Sequence, residues 1–252
     1  MAFMLQKLSN INWVLFVSLC TINVSAEAIV NIENLRKEET IGIFQAISTS
    51  LDASRGNQDR DYYSFSYRID NNSESIDSFM IINKSERQRN GDTTDESTFF
   101  HGRLVFKNET RADWELLLQH SENPFKKYKK REVIGGGLRI AVDKNMRLGF
   151  QLLREDEETL NNESVQTDRF GFYAHDDFDL MENVNFNATI YFQPAIDKFN
   201  DDYKASALLS FNFIVNQALN FSIEYAYAHD SMPPINSDKI DESISTKFTY
   251  RF

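Results

Sequence analysis

Residues 240–252 read IDESISTKFTYRF, with Ile244, Phe248, Tyr250 and Phe252 on one parity and Asp241, Ser243, Ser245 and Lys247 on the other. Neighbouring side chains of an extended chain point to opposite faces, so this alternation predicts a β-strand with one apolar face. Transmembrane barrels of Gram-negative outer membranes close with a strand of this kind ending in a terminal Phe. Phe248, Tyr250 and Phe252 are therefore the expected signal to the barrel-assembly machinery.

The same alternation recurs upstream, in Tyr63, Phe65, Tyr67 and Ile69; in Trp114, Leu116 and Leu118; in Val184, Phe186, Ala188, Ile190 and Phe192; and in Leu219, Phe221, Ile223, Tyr225 and Tyr227. About twelve such segments are found, an even number; the parity of 76–83 is not fixed by its residues. Short turns near 216–217, 180–182, 143–144, 108–110 and 71–73 alternate with longer polar loops centred on 231–238, 196–202, 155–164, 121–131, 85–97 and 54–60. Short periplasmic turns and long extracellular loops in strict alternation are what a barrel with both termini in the periplasm requires, whereas a soluble sandwich has no reason to alternate. The expected fold is all-β: a transmembrane antiparallel up-and-down β-barrel of about 12 strands over residues 40–252.

The amino terminus agrees with export. Lys7 precedes the hydrophobic stretch Trp13 to Leu19, and Val24-Ser25-Ala26 puts small residues at the two positions a signal peptidase reads, so 1–26 are expected to be a cleaved signal peptide and 27–39 a periplasmic lead-in. The hydrophobic stretch is too short for a helical span, which needs about 20 residues. Cys20, the only cysteine, lies inside the signal, so the mature chain is expected to have no disulfide and no thiolate metal site. Leu19 is too large for the small-residue position of a lipoprotein box.

With 27 Lys+Arg and 38 Asp+Glu the chain carries a net charge of −11, and loss of Lys7 takes it to −12, a balance that argues against nucleic acid as a partner. No apolar run after residue 26 is long enough to cross a bilayer as a helix, so the chain can enter one only as a closed sheet. If the apolar parity meets lipid, the other parity fills the interior, and Arg68, Arg103, Glu115, Arg139, Arg147, Arg169 and Glu224 are the candidate pore-lining residues. Both charge signs occur among them. A salt-bridged polar core and a narrow aqueous pore are both consistent with the pattern, and the core is favoured because buried charges must be paired in either case.

Two stretches carry a family resemblance. Tyr225 to Asp230, followed by Ser231-Met232-Pro233-Pro234, Asp238 and the closing Tyr250-Arg251-Phe252, resembles the end of the outer-membrane family labelled domain of unknown function 481, some of whose members are named salt-induced outer-membrane proteins. The segment from Phe125 through Arg131 into Gly135-Gly136-Gly137-Leu138-Arg139 is similar to its middle block. The resemblance implies an outer-membrane barrel of a Gram-negative bacterium and no established activity.

Three groups could carry chemistry. His229, Ser231 and Glu242 have a spacing compatible with the acyl hydrolases of outer membranes (lipase or lipid A deacylase type), in which a lipid-facing His activates a Ser two residues away. A turn in which Asp230 and Ser231 bond the backbone is the stronger reading, and no enzyme activity is expected. Lys126, Lys127, Lys129, Lys130 and Arg131, on an extracellular loop, could grip lipopolysaccharide phosphates. The acidic run Glu155 to Glu158 in a flexible loop is at best a weak divalent-cation site, so neither a metal nor a cofactor is expected. The expected partners are outer-membrane lipids and lipopolysaccharide, and the expected role is structural or that of a narrow pore, linked through the family resemblance to salt or osmotic stress.

Overall fold

The computed structural model describes residues 41–216 and 219–250. Twelve strands, β1 (Gly42–Ser54), β2 (Arg60–Asn72), β3 (Ile76–Arg89), β4 (Asp92–Phe106), β5 (Ala112–Asn123), β6 (Tyr128–Ala141), β7 (Arg147–Thr159), β8 (Ser164–Met181), β9 (Val184–Pro194), β10 (Tyr203–Ile214), β11 (Leu219–Asp230) and β12 (Ile240–Tyr250), follow one another in chain order. Each is antiparallel to the next, giving a transmembrane up-and-down barrel. The expected signal peptide, the lead-in and Phe252 lie outside the described residues, while Phe248 and Tyr250 stand in β12 opposite Phe221 and Leu219.

The sheet is strongly curled. Lys126, between β5 and β6, forms an ion pair of 3.0 Å with Asp241 at the start of β12. In a flat sheet those positions would be about 29 Å apart, at roughly 4.8 Å per strand. The outer face is apolar, with Trp114 60% exposed and Leu116, Leu118, Ile134, Leu152 and Ile190 comparably bare, while the inner face buries Glu115 and Gln151 at 1% and 0%. This inversion of the soluble pattern is what lipid as the outer solvent selects. Aromatic rings line the outer face of β8 to β11 at two levels: Phe178, Phe186 and Phe211 touch in series (5.4 and 4.7 Å) toward the short turns, and Phe192, Tyr203 and His229 (5.6 and 5.3 Å) do so toward the long loops.

The short turns occur where the sequence places them. At 143–146 the Asp143 carboxylate accepts from the backbone N–H of Asn145 and Met146, both at 2.8 Å, and these bonds hold its pKa below the usual carboxylate range. Three of the expected long loops are corrected: the one over 121–131 shrinks to 124–127, because β5 runs to Asn123 and β6 starts at Tyr128. Instead of a loop over 85–97, β3 and β4 run on to a tight Asn90-Gly91 turn with both φ positive (52° and 87°), the geometry this dipeptide favours in hairpins. Instead of a loop over 155–164, β7 and β8 extend to Thr159 and from Ser164. In both places the hydrophobic alternation stops while the hydrogen-bonded ladder continues with polar side chains on both faces, as where Glu132 stands opposite Asp156. The parity of β3 is blurred for a different reason. Phe79 and Ile81 are buried inside, with Phe79 against His101 (6.3 Å), while Ile76, Met80 and Ile82 face outward, so both faces are apolar.

Glycines on the inner faces of β6, β7 and β8 set the closeness of these strands. A Cβ on Gly137 would overlap the carbonyl oxygen of Phe150, one on Gly135 would lie 2.6 Å from that of Leu152, and one on Gly149 would enter the Tyr173 ring. The triple glycine is thus a site of close backbone approach, not a phosphate cradle. Gly137→Ala should destabilise the barrel by about 3 kcal/mol, because the obstacle is backbone, whereas Gly102→Ala, which meets only the Phe100 ring at 3.6 Å, should stay within roughly 0.5 kcal/mol. Urea unfolding of the refolded barrel in lipid vesicles measures both.

Candidate functional site

The interior between β3 and β10 is filled by side chains in layers. Toward the long loops lies a charged knot centred on Glu155. Its carboxylate accepts from Arg131 Nη2 (3.2 Å) on β6 and Arg169 Nε (2.9 Å) on β8, and pairs with Lys204 Nζ (2.8 Å) on β10. Lys204 also meets Glu157 (3.3 Å) and Asp230 (3.1 Å), and Arg169 reaches Asp202 (2.8 Å). A carboxylate buried this deeply is tolerable only because three cations surround it, and they in turn are held by further acids. One residue thereby ties β7 to β6, β8 and β10.

Below the knot, Leu117, Val133, Leu153, Tyr173 and Tyr191 form a buried apolar layer. A second polar layer follows. Glu115 accepts from Gln151 Nε2 (2.6 Å), Tyr173 OH (3.2 Å) and Arg103 Nη1 (3.4 Å), and the Arg103 guanidinium lies 5.7 Å from the Tyr173 ring centre. His175 and Thr189 are bonded at 2.7 Å. Glu115, Gln151, Arg103, Tyr173 and Thr189 in these layers are all buried.

The opposite half of the inner wall carries many small residues, with Phe44 on β1 and Leu208 and Asn212 on β10 as its larger inward side chains. Ser206 and Ser210 on β10, Ser222 and Ala226 on β11, Ser243 and Ser245 on β12, and Ala46 and Ser48 on β1 occupy inward positions. Glu224 stands among them, accepting from Ser210 Oγ at 3.4 Å, and is solvent-exposed although it lies in mid-strand on the inner face. Solvent therefore reaches the inner face at Glu224.

The seven expected pore-lining residues all face inward but divide between these halves. Arg103, Glu115, Arg139 and Arg169 are buried in the packed half. Arg68 pairs with Asp70 at 3.0 Å, Arg147 donates to the backbone of Asp143 (2.6 Å), and Glu224 borders the open half. Of the basic cluster, Lys126 pairs with Asp241, Lys129 with Glu158 (3.5 Å) and with Asn162, and Lys130 with Glu132 (3.5 Å). Lys127 caps a single-turn 3-10 helix, Pro124–Lys126. Arg131 departs from the group, since its guanidinium is inside the barrel on Glu155. The acidic run belongs to β7, where residues alternate between the knot and the outside.

His229, Ser231 and Glu242 are each engaged elsewhere. Ser231 Oγ accepts from Tyr203 N (2.8 Å) and donates to Asp201 O (2.9 Å), the His229 ring stacks on Tyr203, and Glu242 accepts from Tyr225 OH (3.2 Å). The sequence reading missed Lys204, Asp202 and Asp230 as members of the knot. Their only signal is polar parity at strand ends, which does not say which distant strand they meet.

A family model described as "Protein of unknown function, DUF481" matches residues 47–252. No curated protein matches the chain. Among solved structures, the translocator domain of the autotransporter NalP from Neisseria meningitidis is similar at a TM-score of 0.50 and 11% identity, covering 88% of this chain and 92% of that one. The NanC porin is similar at 0.48 and 8% identity, covering 81% of this chain and 100% of that one. The outer-membrane channel DcaP of Acinetobacter baumannii gives 0.38 and 13%, covering 83% and 71%.

Glu155→Ala would strand three buried cations and should cost about 3–5 kcal/mol. Asp168→Asn, which loosens the exposed outer pair with Arg154 (2.8 Å), should leave the unfolding midpoint unchanged in the same vesicle assay.

Proposed function

We propose a role for a chain that belongs to the DUF481 family of proteins of unknown function: an outer-membrane barrel of a Gram-negative envelope that perforates the membrane narrowly, along one side of its interior. The observation that carries this reading is the contrast between two inward glutamates. Glu115 is 1% exposed in the packed half, whereas Glu224, also in mid-strand, is open to solvent. Exposure on the inner face of a barrel requires room beside it, and the serines and alanines around Glu224 supply that room. The packed half serves the other need, rigidity, through the Glu155 and Glu115 layers. A route this restricted suits ions and small polar solutes, a permeability that an envelope under salt or osmotic stress would need to limit. The same fold as the NalP translocator domain supports placement in the outer membrane. An acyl-hydrolase role for His229, Ser231 and Glu242 would require Ser231 to leave both its backbone partners.

Single-channel recording of the refolded mature barrel in planar bilayers tests the reading. Discrete small steps are expected, and Ser222→Trp, which fills the open half, should cut their size by roughly half or more. Leu116→Trp on the lipid face should leave them as they are. A folded barrel that stays silent would remove the pore and leave the structural role.

A further inference from the structure

Two loops meet over one mouth of the barrel. From one side comes the 3-10 helix Pro124–Lys126 between β5 and β6; from the other comes the 231–239 connection between β11 and β12. They are joined by the ion pair of Lys126 Nζ with Asp241 Oδ2 (3.0 Å) and by a hydrogen bond from Ser237 Oγ to the Lys126 carbonyl (3.0 Å). The junctions concerned stand six strands apart in the twelve-stranded sheet, so the contact reaches across the curled wall. A ring of twelve strands is about 24 Å across for strands tilted by roughly 40°.

Each tip is shaped before they meet. Asn123 Oδ1 accepts from Lys126 N (3.0 Å), Pro124 starts the helical turn, and Lys127 takes the left-handed conformation (φ 69°) that turns the chain back into β6. On the other side Ser237 N donates to Pro234 O (3.0 Å), and Asp230 at the root of the loop is held by Lys204 of the charged knot. The junction covers the open half of the interior. Ala228, on the inner face of β11 beneath it, is 8% exposed, whereas Glu224, further down the same face, is open to solvent.

We propose that these two loops form a strap that closes the mouth of the open half and that ionic strength releases. The inference rests on the pore reading above. Its physical basis is the contrast between two sets of ion pairs at the same end of the barrel. The side chains of Lys126 and Asp241 are 22% and 39% exposed, so mobile ions reach and screen the pair. Arg131, Glu155 and Lys204 are between 2% and 7% exposed and are beyond that screening. Salt therefore loosens the strap while the knot holds the wall in shape.

The mature full-length barrel is recorded in planar bilayers from low to high KCl, with conductance corrected for the bulk electrolyte. The open probability should rise with salt by up to about fivefold, the range an exposed pair can command. Asp241→Asn should give that raised open probability already at low salt and abolish its salt dependence. The exchange Lys126→Asp with Asp241→Lys should restore the closed state at low salt. An open probability indifferent to Asp241→Asn at every salt concentration overturns the strap and leaves the pore intact. Spin labels on Phe125→Cys and Ile235→Cys give an independent readout: their separation should widen as salt rises. Widening in a barrel that conducts nothing would keep the strap and sink the pore, and an unchanged separation would overturn the strap.

Discussion

The need to pair every backbone N–H and C=O inside hydrocarbon governs this molecule. Water is absent there, and an unpaired amide costs several kcal/mol, so strands that cross it must satisfy their backbone through neighbouring strands. Eleven antiparallel ladders, in unbroken order from β1 to β12, pair each strand with its neighbours in the chain. Once the sheet curls, its pleat leaves each strand one face toward lipid and one toward the interior, and the inside-out distribution of Trp114 and Glu115 follows.

The interior then becomes the problem that the fold must solve. Charged residues placed there cannot be left unpaired, and the chain meets this by concentrating them in two knots, around Glu155 and Glu115, with an apolar layer between. Filling one half this way requires the wall to bend sharply, and the glycines of β6 and β7 permit it by removing side chains where backbone meets backbone. The other half carries mostly smaller residues, among which Glu224 meets solvent. The buried ion-paired layers and the solvent-exposed glutamate thus lie in different sectors of a single wall.

Polar contacts at the loop end divide in the same manner by their access to solvent. Those of Glu155 are internal and hold the strands together, whereas that of Lys126 and Asp241 bridges loops at the surface. A buried pair is costly to break because it leaves an uncompensated charge, and an exposed one exchanges readily with water and ions. Stability and responsiveness can therefore coexist at one mouth.

The residues alone determined the strand character, the order of turns and loops, and, for every strand whose alternation is clear, which side faces lipid, because a period of two and the chemistry of turns are local properties. The alternation in 240–250 and the turn at Asp143 are instances. Where local contrast fades, so did legibility: β3 carries apolar residues on both faces, and β3, β4, β7 and β8 continue beyond the apolar band as polar ladders that read as loops. Only the tertiary structure decided that Arg131 leaves the surface cluster for Glu155, that Lys204 joins it from three strands away, that Ser231 is held by Tyr203 and Asp201, and that Glu115 is buried while Glu224 meets solvent. Those outcomes depend on how far the sheet curls, and curvature brings together residues that no spacing along the chain relates.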